Sequence, residues 1–376
     1  MQQFQVPQGH FSLQRYPVDA NPSLRAWDAA DELILKHVDE QLTHPDPGIW
    51  IYNDSFGALS VALNNYSVQA ISDSYLAHRS IDNNYCDNHL VTDSLTVKSS
   101  IETLEGTPDI VLIKVPKTLA LLEDQLCRLR PFLTAQTQVI GAAMVRHIHS
   151  STLSLFERII GPTKTSLATK KARLIFSTPD MEIKPSKSPY PNSYTLEGTK
   201  HQIINHANVF SRQKLDIGTR LFLQHLPVSA TAQSIIDLGC GNGIVGLIAS
   251  ERNPSAQLKF IDESYMAVAS AKQNFENAFN GQHKATFVVD NCLDKTDSDS
   301  ADLILNNPPF HQQQAIGDHI ALQMFRQSHR VLRQKGELWV IGNRHLGYHK
   351  RLKQIFGNCT RVASNSKFVI LKTTKL

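Results

Sequence analysis

The chain has 376 residues, 41% of them hydrophobic and 19% charged, with a formal net charge of +4. That length suits two globular domains, no run approaches the ~18 apolar residues of a membrane span, and no basic segment followed by an apolar core marks a leader. Five scattered cysteines (Cys86, Cys127, Cys240, Cys292, Cys359) exclude a disulfide framework and imply a reducing, cytoplasmic setting, while none of the 16 histidines stands at ligand spacing, so no metal is expected.

Along the chain, apolar β-rich runs alternate with amphipathic helical stretches, the pattern of a parallel sheet covered by helices. Ile49-Trp-Ile-Tyr-Asn-Asp54 reads as a strand ending in an aspartate, followed by a turn at Gly57. Ala70-Ile-Ser-Asp73 is a second strand with an acidic end, and Val111-Leu-Ile-Lys-Val-Pro116 a later one that stops at proline. Leu155-Phe-Glu-Arg-Ile-Ile-Gly161 ends a helix, and Lys170-Lys-Ala-Arg-Leu-Ile-Phe leads into a further strand. Four prolines between residues 178 and 193 (Pro179, Pro185, Pro189, Pro191) mark a linker or exposed loop. Domains are therefore expected at 1–185 and 190–376.

Beyond the linker the same series returns. Ser234-Ile-Ile-Asp237 parallels the first strand, Phe260-Ile-Asp262 the second, with Asp262 matched to Asp73, and Leu303-Ile-Leu-Asn-Asn307-Pro308 the third. Lys353-Gln-Ile-Phe-Gly357 and Ser366-Lys-Phe-Val-Ile-Leu match the tail. An ordered series of matches points to a duplication. The two copies differ chemically. The first keeps one glycine in its turn where the second has Gly239, Gly241 and Gly243, so the first is expected to have lost cofactor binding and catalysis.

In the second copy, His206-Ala-Asn-Val-Phe210 to Asp216 interrupts the apolar pattern with polar residues, and Phe210 and Asp216 are candidates to line a pocket. The turn Asp237-Leu-Gly239-Cys-Gly241-Asn242-Gly243-Ile-Val-Gly246 sits between a strand and a helix, the context of a nucleotide-type cofactor. Gly239, Gly241 and Asn242 would approach the ligand with Asp237 beside it, and Asp262 would accept the ribose hydroxyls. Asp290 and Asn291, after the strand Ala285-Thr-Phe-Val-Val, are placed for an adenine edge. NAD fits this region as well as S-adenosylmethionine does.

Asn307-Pro308-Pro309-Phe310 narrows the chemistry. An aromatic amine is a poor nucleophile because its lone pair is delocalised. Carbonyls from Asn307 and Pro308 can accept its N–H groups, turn the lone pair toward a methyl donor and stabilise the charge that develops on nitrogen. The prolines fix φ, and Phe310 offers a face to a planar base. A dehydrogenase would leave this tetrapeptide without a role. The expected fold is α/β, two tandem Rossmann-like class I methyltransferase domains, the N-terminal one degenerate.

With these motifs in place, the chain resembles the bacterial ribosomal RNA guanine-N2 methyltransferases. The resemblance extends over essentially the whole length through Ile113-Lys-Val-Pro-Lys-Thr-Leu-Ala-Leu-Leu, His206-Ala-Asn-Val-Phe-Ser-Arg, Asn307-Pro-Pro-Phe-His-Gln-Gln and Ile355-Phe-Gly-Asn-Cys-Thr. It implies S-adenosylmethionine as donor and a guanine of 23S rRNA, protein-free or partly assembled, as target. The alternatives are a 16S rRNA guanine, DNA adenine or a protein glutamine, and more distantly a non-catalytic assembly factor. Candidate RNA contacts are Lys114, Lys117, Arg128, Arg130, Lys164, Lys170, Lys171 and Arg173 in the first half. Arg344, Lys350, Arg351 and Lys353 are those of the second.

Overall fold

The computed structural model describes residues 1–18, 21, 23–41, 46–309 and 316–376, which divide into two compact units, Met1–Tyr190 and Pro191–Leu376. Unit 1 opens with a hairpin of β1 (Gln2–Val6) and β2 (Gly9–Leu13), followed by α1 (Ala29–Gln41). Then come β3 (Gly48–Tyr52), α2 (Ala58–Ala62), β4 (Ser67–Ser72), α3 (Tyr75–Asp87), β5 (Leu95–Ser99), β6 (Ile110–Lys114) and α4 (Leu119–Leu129). β7 (Gln138–Met144), α5 (Ser150–Ile159), β8 (Thr163–Thr165) and β9 (Ala172–Ser177) complete it.

Unit 2 repeats the plan. Its hairpin is β10 (Asn192–Thr195) with β11 (Gln202–Asn205), and its body runs α6 (Ile217–Gln224), β12 (Ser234–Leu238), α7 (Ile244–Arg252), β13 (Gln257–Asp262) and α8 (Tyr265–Phe279). β14 (Ala285–Val289), β15 (Ala301–Asn306), α9 (Ile316–Val331), β16 (Leu332–Asn343), α10 (Tyr348–Phe356), β17 (Thr360–Ser364) and β18 (Phe368–Thr374) follow.

Each unit is built on a seven-stranded sheet, ordered β5-β4-β3-β6-β7-β9-β8 in one and β14-β13-β12-β15-β16-β18-β17 in the other. The orders are the same position for position, so both Rossmann-like units expected from the sequence are present. Six strands of each sheet run in one direction and a single strand, β9 or β18, lies antiparallel between the last two of them. Central strands are mostly apolar because both faces are covered. Ile49 and Ile51 enter the core on one side of the first sheet, Trp50 and Tyr52 that on the other. Ile235 and Ile236 divide in the same way in unit 2.

The duplication reaches individual side chains. Ser74 caps α3 by accepting the Ala77 N–H, and Ser264 caps α8 by accepting that of Ala267. Ten residues further on, Asn84 and Asn274 do the same work. Asn84 donates to the carbonyls of Gln14 and Phe56, Asn274 to those of Ile204 and Asn242.

Register corrects one sequence match. Ser72 stands opposite Ser99 and Asp262 opposite Val289, so the counterpart of Asp262 is Ser72, not Asp73. The first copy has no carboxylate at that strand end. The sequence match slipped because an acid follows Ser72 by one residue, and in a strand one residue is the difference between the two faces.

Candidate functional site

The carboxyl ends of β12, β13 and β15 converge on the glycine turn of unit 2. Gly239, Gly241 and Gly243 take φ of 71°, 54° and 80°, the left-handed region in which a side chain is strained. A Cβ on Gly241 would meet no described residue within 4 Å, so among these residues the turn faces open space. Gly246 serves packing instead: a Cβ there would lie 2.3 Å from the Phe260 ring, so α7 can lie this close to the sheet only with glycine at that position.

Asp237 is 2% exposed, and its Oδ2 accepts the Gly246 N–H at 2.7 Å. Burial pushes its carboxyl up to about 8; the Gly246 N–H opposes that shift and the Asp262 charge adds to it. It braces the turn from beneath. Asp262, half-buried, accepts from Gly241 N–H through Oδ2 and from Ser264 N–H through Oδ1, both at 3.0 Å. Burial raises its pKa, against the pull of those N–H groups.

Asp290 follows β14 and is buried, its oxygens accepting the N–H groups of Asn291 at 2.9 Å and Lys295 at 2.8 Å. Its own N–H donates to the Asp262 carbonyl at 3.0 Å, which ties the two acidic strand ends together. The Asn291 amide donates to Asp294 at 2.9 Å. Asn242 turns its amide to Asn205 Oδ1 at 2.9 Å, and its carbonyl accepts from Asn274. Of the seven residues expected around the cofactor, Asn242 thus spends its side chain on holding the turn to the β11 end. Asp216 caps α6 by accepting the Thr219 N–H at 3.0 Å, while Phe210 is 64% exposed.

Asn307 leaves the end of β15 beside this turn. The preceding Asn306 is fully buried and donates to the Leu238 carbonyl at 2.8 Å, which fixes the strand end against β12. A Cβ on Gly239 would stand 4.0 Å from the Asn307 main-chain oxygen, so motif and turn are neighbours. Asn307 Nδ2 donates to Thr219 Oγ1 at 3.2 Å, whereas its Oδ1 is buried without a partner among the described residues. An unpaired buried acceptor is costly unless a ligand supplies the missing N–H. Pro308 is buried and Pro309 half-buried. Phe310 lies outside the described residues.

Sequence reasoning did not single out Thr219, Asn306 or Asn274. The one available signal was Asp216 three positions before Thr219, a helix cap that puts the threonine in the first turn of α6.

In unit 1 the equivalent place is filled. Tyr52 stands opposite Ile113 as Leu238 stands opposite Asn306, so Lys114 takes the position of Asn307. Asp28, just before α1, corresponds to Asp216, and Asp31 to Thr219. Lys114 donates to Asp28 at 2.8 Å and Asp31 at 2.7 Å. Burial would lower the ammonium's pKa, but the two carboxylates outweigh it and raise it; Asp31 itself is pushed up to about 6 by burial. An ion pair thus replaces the Asn307–Thr219 contact. Asn53 and Gln125 pair their amides at 2.8 and 2.9 Å where the second copy has Gly239. Lys114 is therefore committed within the fold, as is Arg130, 2% exposed and bonded to the Asp180 and Ile183 carbonyls, whereas Lys170 pairs with Glu32 at the surface. Among the described residues no cluster of His, Cys, Asp and Glu suits a metal, and no helix is long and apolar enough to cross a membrane.

Two family profiles match consecutive parts of the chain: the RLMG N-terminal domain over residues 1–181 and the methyltransferase small domain over 200–372. A "Ribosomal RNA large subunit methyltransferase G" of Streptomyces griseus is 48% identical, with both chains covered completely. One of the same name from Aeromonas salmonicida is 50% identical, with 97% of each chain covered. Among solved structures, a T. thermophilus 16S rRNA N2 G1207 methyltransferase in complex with AdoMet and guanosine superposes with a TM-score of 0.78. It is 19% identical and covers 100% of this chain and 98% of its own, a likeness of fold. With full-length relatives at this identity and the fold shared across both units, the chain belongs to the ribosomal RNA large subunit methyltransferase G family.

Proposed function

We propose that unit 2 transfers a methyl group from S-adenosylmethionine to the exocyclic N2 of a guanine in large-subunit ribosomal RNA. The observation that carries this reading is the buried Oδ1 of Asn307 beside the glycine turn, which has no partner among the described residues. It is an acceptor without a donor, at the strand ends where an open α/β sheet holds its ligands.

The residues present fit S-adenosylmethionine. Open space in front of Gly241 admits a ligand against the main chain, and Asp262 offers carboxylate oxygens at the next strand end. When bound, the cofactor supplies a methyl group on a sulfonium. The chain's own residues bind and orient. Asn307 Oδ1 accepts one N–H of the target amine and the Pro308 carbonyl accepts the other, which holds the lone pair in line and stabilises the charge appearing on nitrogen. Pro308 and Pro309 keep that carbonyl fixed. Asp237, Gly239 and Gly241 shape the turn, and Asp290 and Asn291 form the loop beside Asp262 for the adenine end. Phe310 is the stacking face for the base.

Large-subunit rRNA is favoured by the name the relatives share, and guanine by the guanosine in the T. thermophilus complex. The substrate form is protein-free or partly assembled 23S rRNA in the cytoplasm. Unit 1, its own site filled by Lys114, holds RNA or stabilises unit 2.

Labelled S-adenosylmethionine offered in parallel to protein-free 23S rRNA, 16S rRNA, DNA and total protein tests the reading. Label in 23S rRNA alone, recovered as N2-methylguanine, is expected. Replacing Asn307 with Ala is expected to lower transfer by about 100-fold or more while RNA binding persists. Label confined to another substrate would reassign the target, and an Asn307→Ala enzyme with wild-type activity would remove the proposed role of the motif.

A further inference from the structure

After Glu337 the chain carries no acidic residue through to Leu376, yet this stretch holds eight lysines and arginines. Lys372 and Lys375 are absorbed by Glu337 and Asp299. Arg344, Lys350, Arg351, Lys353, Arg361 and Lys367 are exposed and form no ion pair among the described residues. Their placement is specific. β16 lies parallel to β15 with Val340 opposite Asn306, and β18 returns alongside it with Phe368 opposite Asn343. Arg344 and the turn containing Lys367 therefore stand on the sheet edge that carries Asn307, next to its strand. The Arg344 N–H donates to the Lys367 carbonyl at 3.0 Å, which joins the two residues through their main chains, while the Arg344 guanidinium donates to the Asn365 carbonyl at 3.3 Å and Lys367 Nζ lies 5.2 Å from the centre of the Phe368 ring. Lys350 and Arg351 follow in the first turns of α10, whose Tyr348, Leu352 and Phe356 face the core and leave these cations outward.

Unit 1 repeats the device: the Val145 N–H donates to the Lys171 carbonyl at 2.8 Å, with Lys171 exposed at the position of Lys367 and Arg146 beside Val145. Gathering like charges on one edge raises their mutual repulsion unless an anion shares the surface. We propose that Arg344, Lys350, Arg351 and Lys367 grip RNA phosphates next to the target guanine. This rests on the RNA methyl-transfer reading and adds to it the surface of unit 2 that carries the backbone.

The test is binding of the full-length chain to protein-free 23S rRNA over a salt series. It compares wild type with the Arg344→Ala/Lys367→Ala and Lys350→Ala/Arg351→Ala pairs. Each pair is expected to weaken binding by roughly 10-fold at moderate salt and to reduce the slope of log affinity against log salt by about 1.4, with S-adenosylmethionine affinity unchanged. The Arg344→Lys/Lys367→Arg pair, which keeps the charge, should bind as wild type and guards against misfolding. Unchanged salt slopes in both alanine pairs overturn the proposal, whereas wild type that binds RNA but methylates none of it overturns the methyl-transfer reading alone.

A second inference rests on different atoms. Asn307 can present Oδ1 to an amine only if its amide is held one way round, and among the described residues the hydrogen bond that does so runs from Nδ2 to Thr219 Oγ1. Thr219 is itself held by the α6 cap, its N–H donating to Asp216. The other copy puts Asp31 and Lys114 at these two positions, again in contact, so residue pairs exchange together there. We infer that Thr219 is the positioning residue for Asn307.

Thr219→Val, nearly isosteric and without the hydroxyl, is expected to lower kcat by roughly 10- to 100-fold with the RNA KM and S-adenosylmethionine affinity unchanged. Thr219→Ser should restore most of kcat. Wild-type kcat in the valine variant, or loss of cofactor binding in step with kcat, would overturn this role. Full activity in Asn307→Ala would instead overturn the reading on which it rests.

Discussion

Asp237 holds its proton in the folded chain well into the neutral range, because burial pushes its pKa up to about 8 from an ordinary 3.8. Between those values the folded state binds a proton that the unfolded state has released. Stability from this group is therefore complete below the unfolded value and is lost as pH rises through the folded one. The ligand-free chain is expected to melt at lower temperature as pH goes from about 5 to about 9, and Asp237→Asn, which keeps a neutral group there, should flatten that fall. Scanning fluorimetry across the range checks it; an unchanged slope in the variant would assign the pH dependence elsewhere. Asp237, Asp262 and Asn307 were legible in the sequence because each closes an apolar strand and the chemistry of its residue type is its own. Thr219 was not, since it meets Asn307 across 88 residues and nothing in a threonine announces a partner that distant. Asn242 was read toward the cofactor from its place between glycines, while its amide in fact turns to Asn205.

At the scale of elements, the parallel strands were the easiest to read. Both faces of β3, β6, β12 and β15 are largely buried, so their apolar runs stand out, interrupted in β12 by Asp237 and in β15 by Asp302. The helices after the second strands begin at serines, Ser74 and Ser264, whose capping role the structure shows. The hairpins β1–β2 and β10–β11 left no such trace. Their burial is one-sided and their residues are largely polar, as in Asn192-Ser-Tyr-Thr195. They are held by asparagines of distant helices, Asn84 and Asn88 for the first and Asn274 for the second. Contacts of that kind are set by tertiary packing and not by local pattern. The slip at Asp73 has the same origin: the sequence locates a strand end to within a residue, and only the ladder fixes which side chain ends it.

For the whole molecule, the duplication divides labour between two sheets of the same design. Where unit 2 has the buried acceptor of Asn307, unit 1 has a closed ion pair. Removing one partner of such a pair leaves charge without compensation. Lys114→Met is expected to destabilise unit 1 by about 3 kcal/mol, read as a lower denaturant midpoint, while S-adenosylmethionine affinity stays as in wild type. Equal loss of cofactor affinity would mean that the Lys114 position supports unit 2 directly.

The paired asparagines Asn84 and Asn274 have a consequence of a different kind. A chain that contains two versions of one plan supplies its own control experiment. What both versions retain, such as these asparagines, the capping serines and the lysines Lys171 and Lys367, is inherited equipment that serves with or without chemistry. What differs between them, namely Asp262, Thr219 and Asn307 against Ser72, Asp31 and Lys114, is where the copy proposed to work departs from the other. A naturally occurring substitution can be sorted on that basis before any assay, by asking whether its twin position tolerates the same residue.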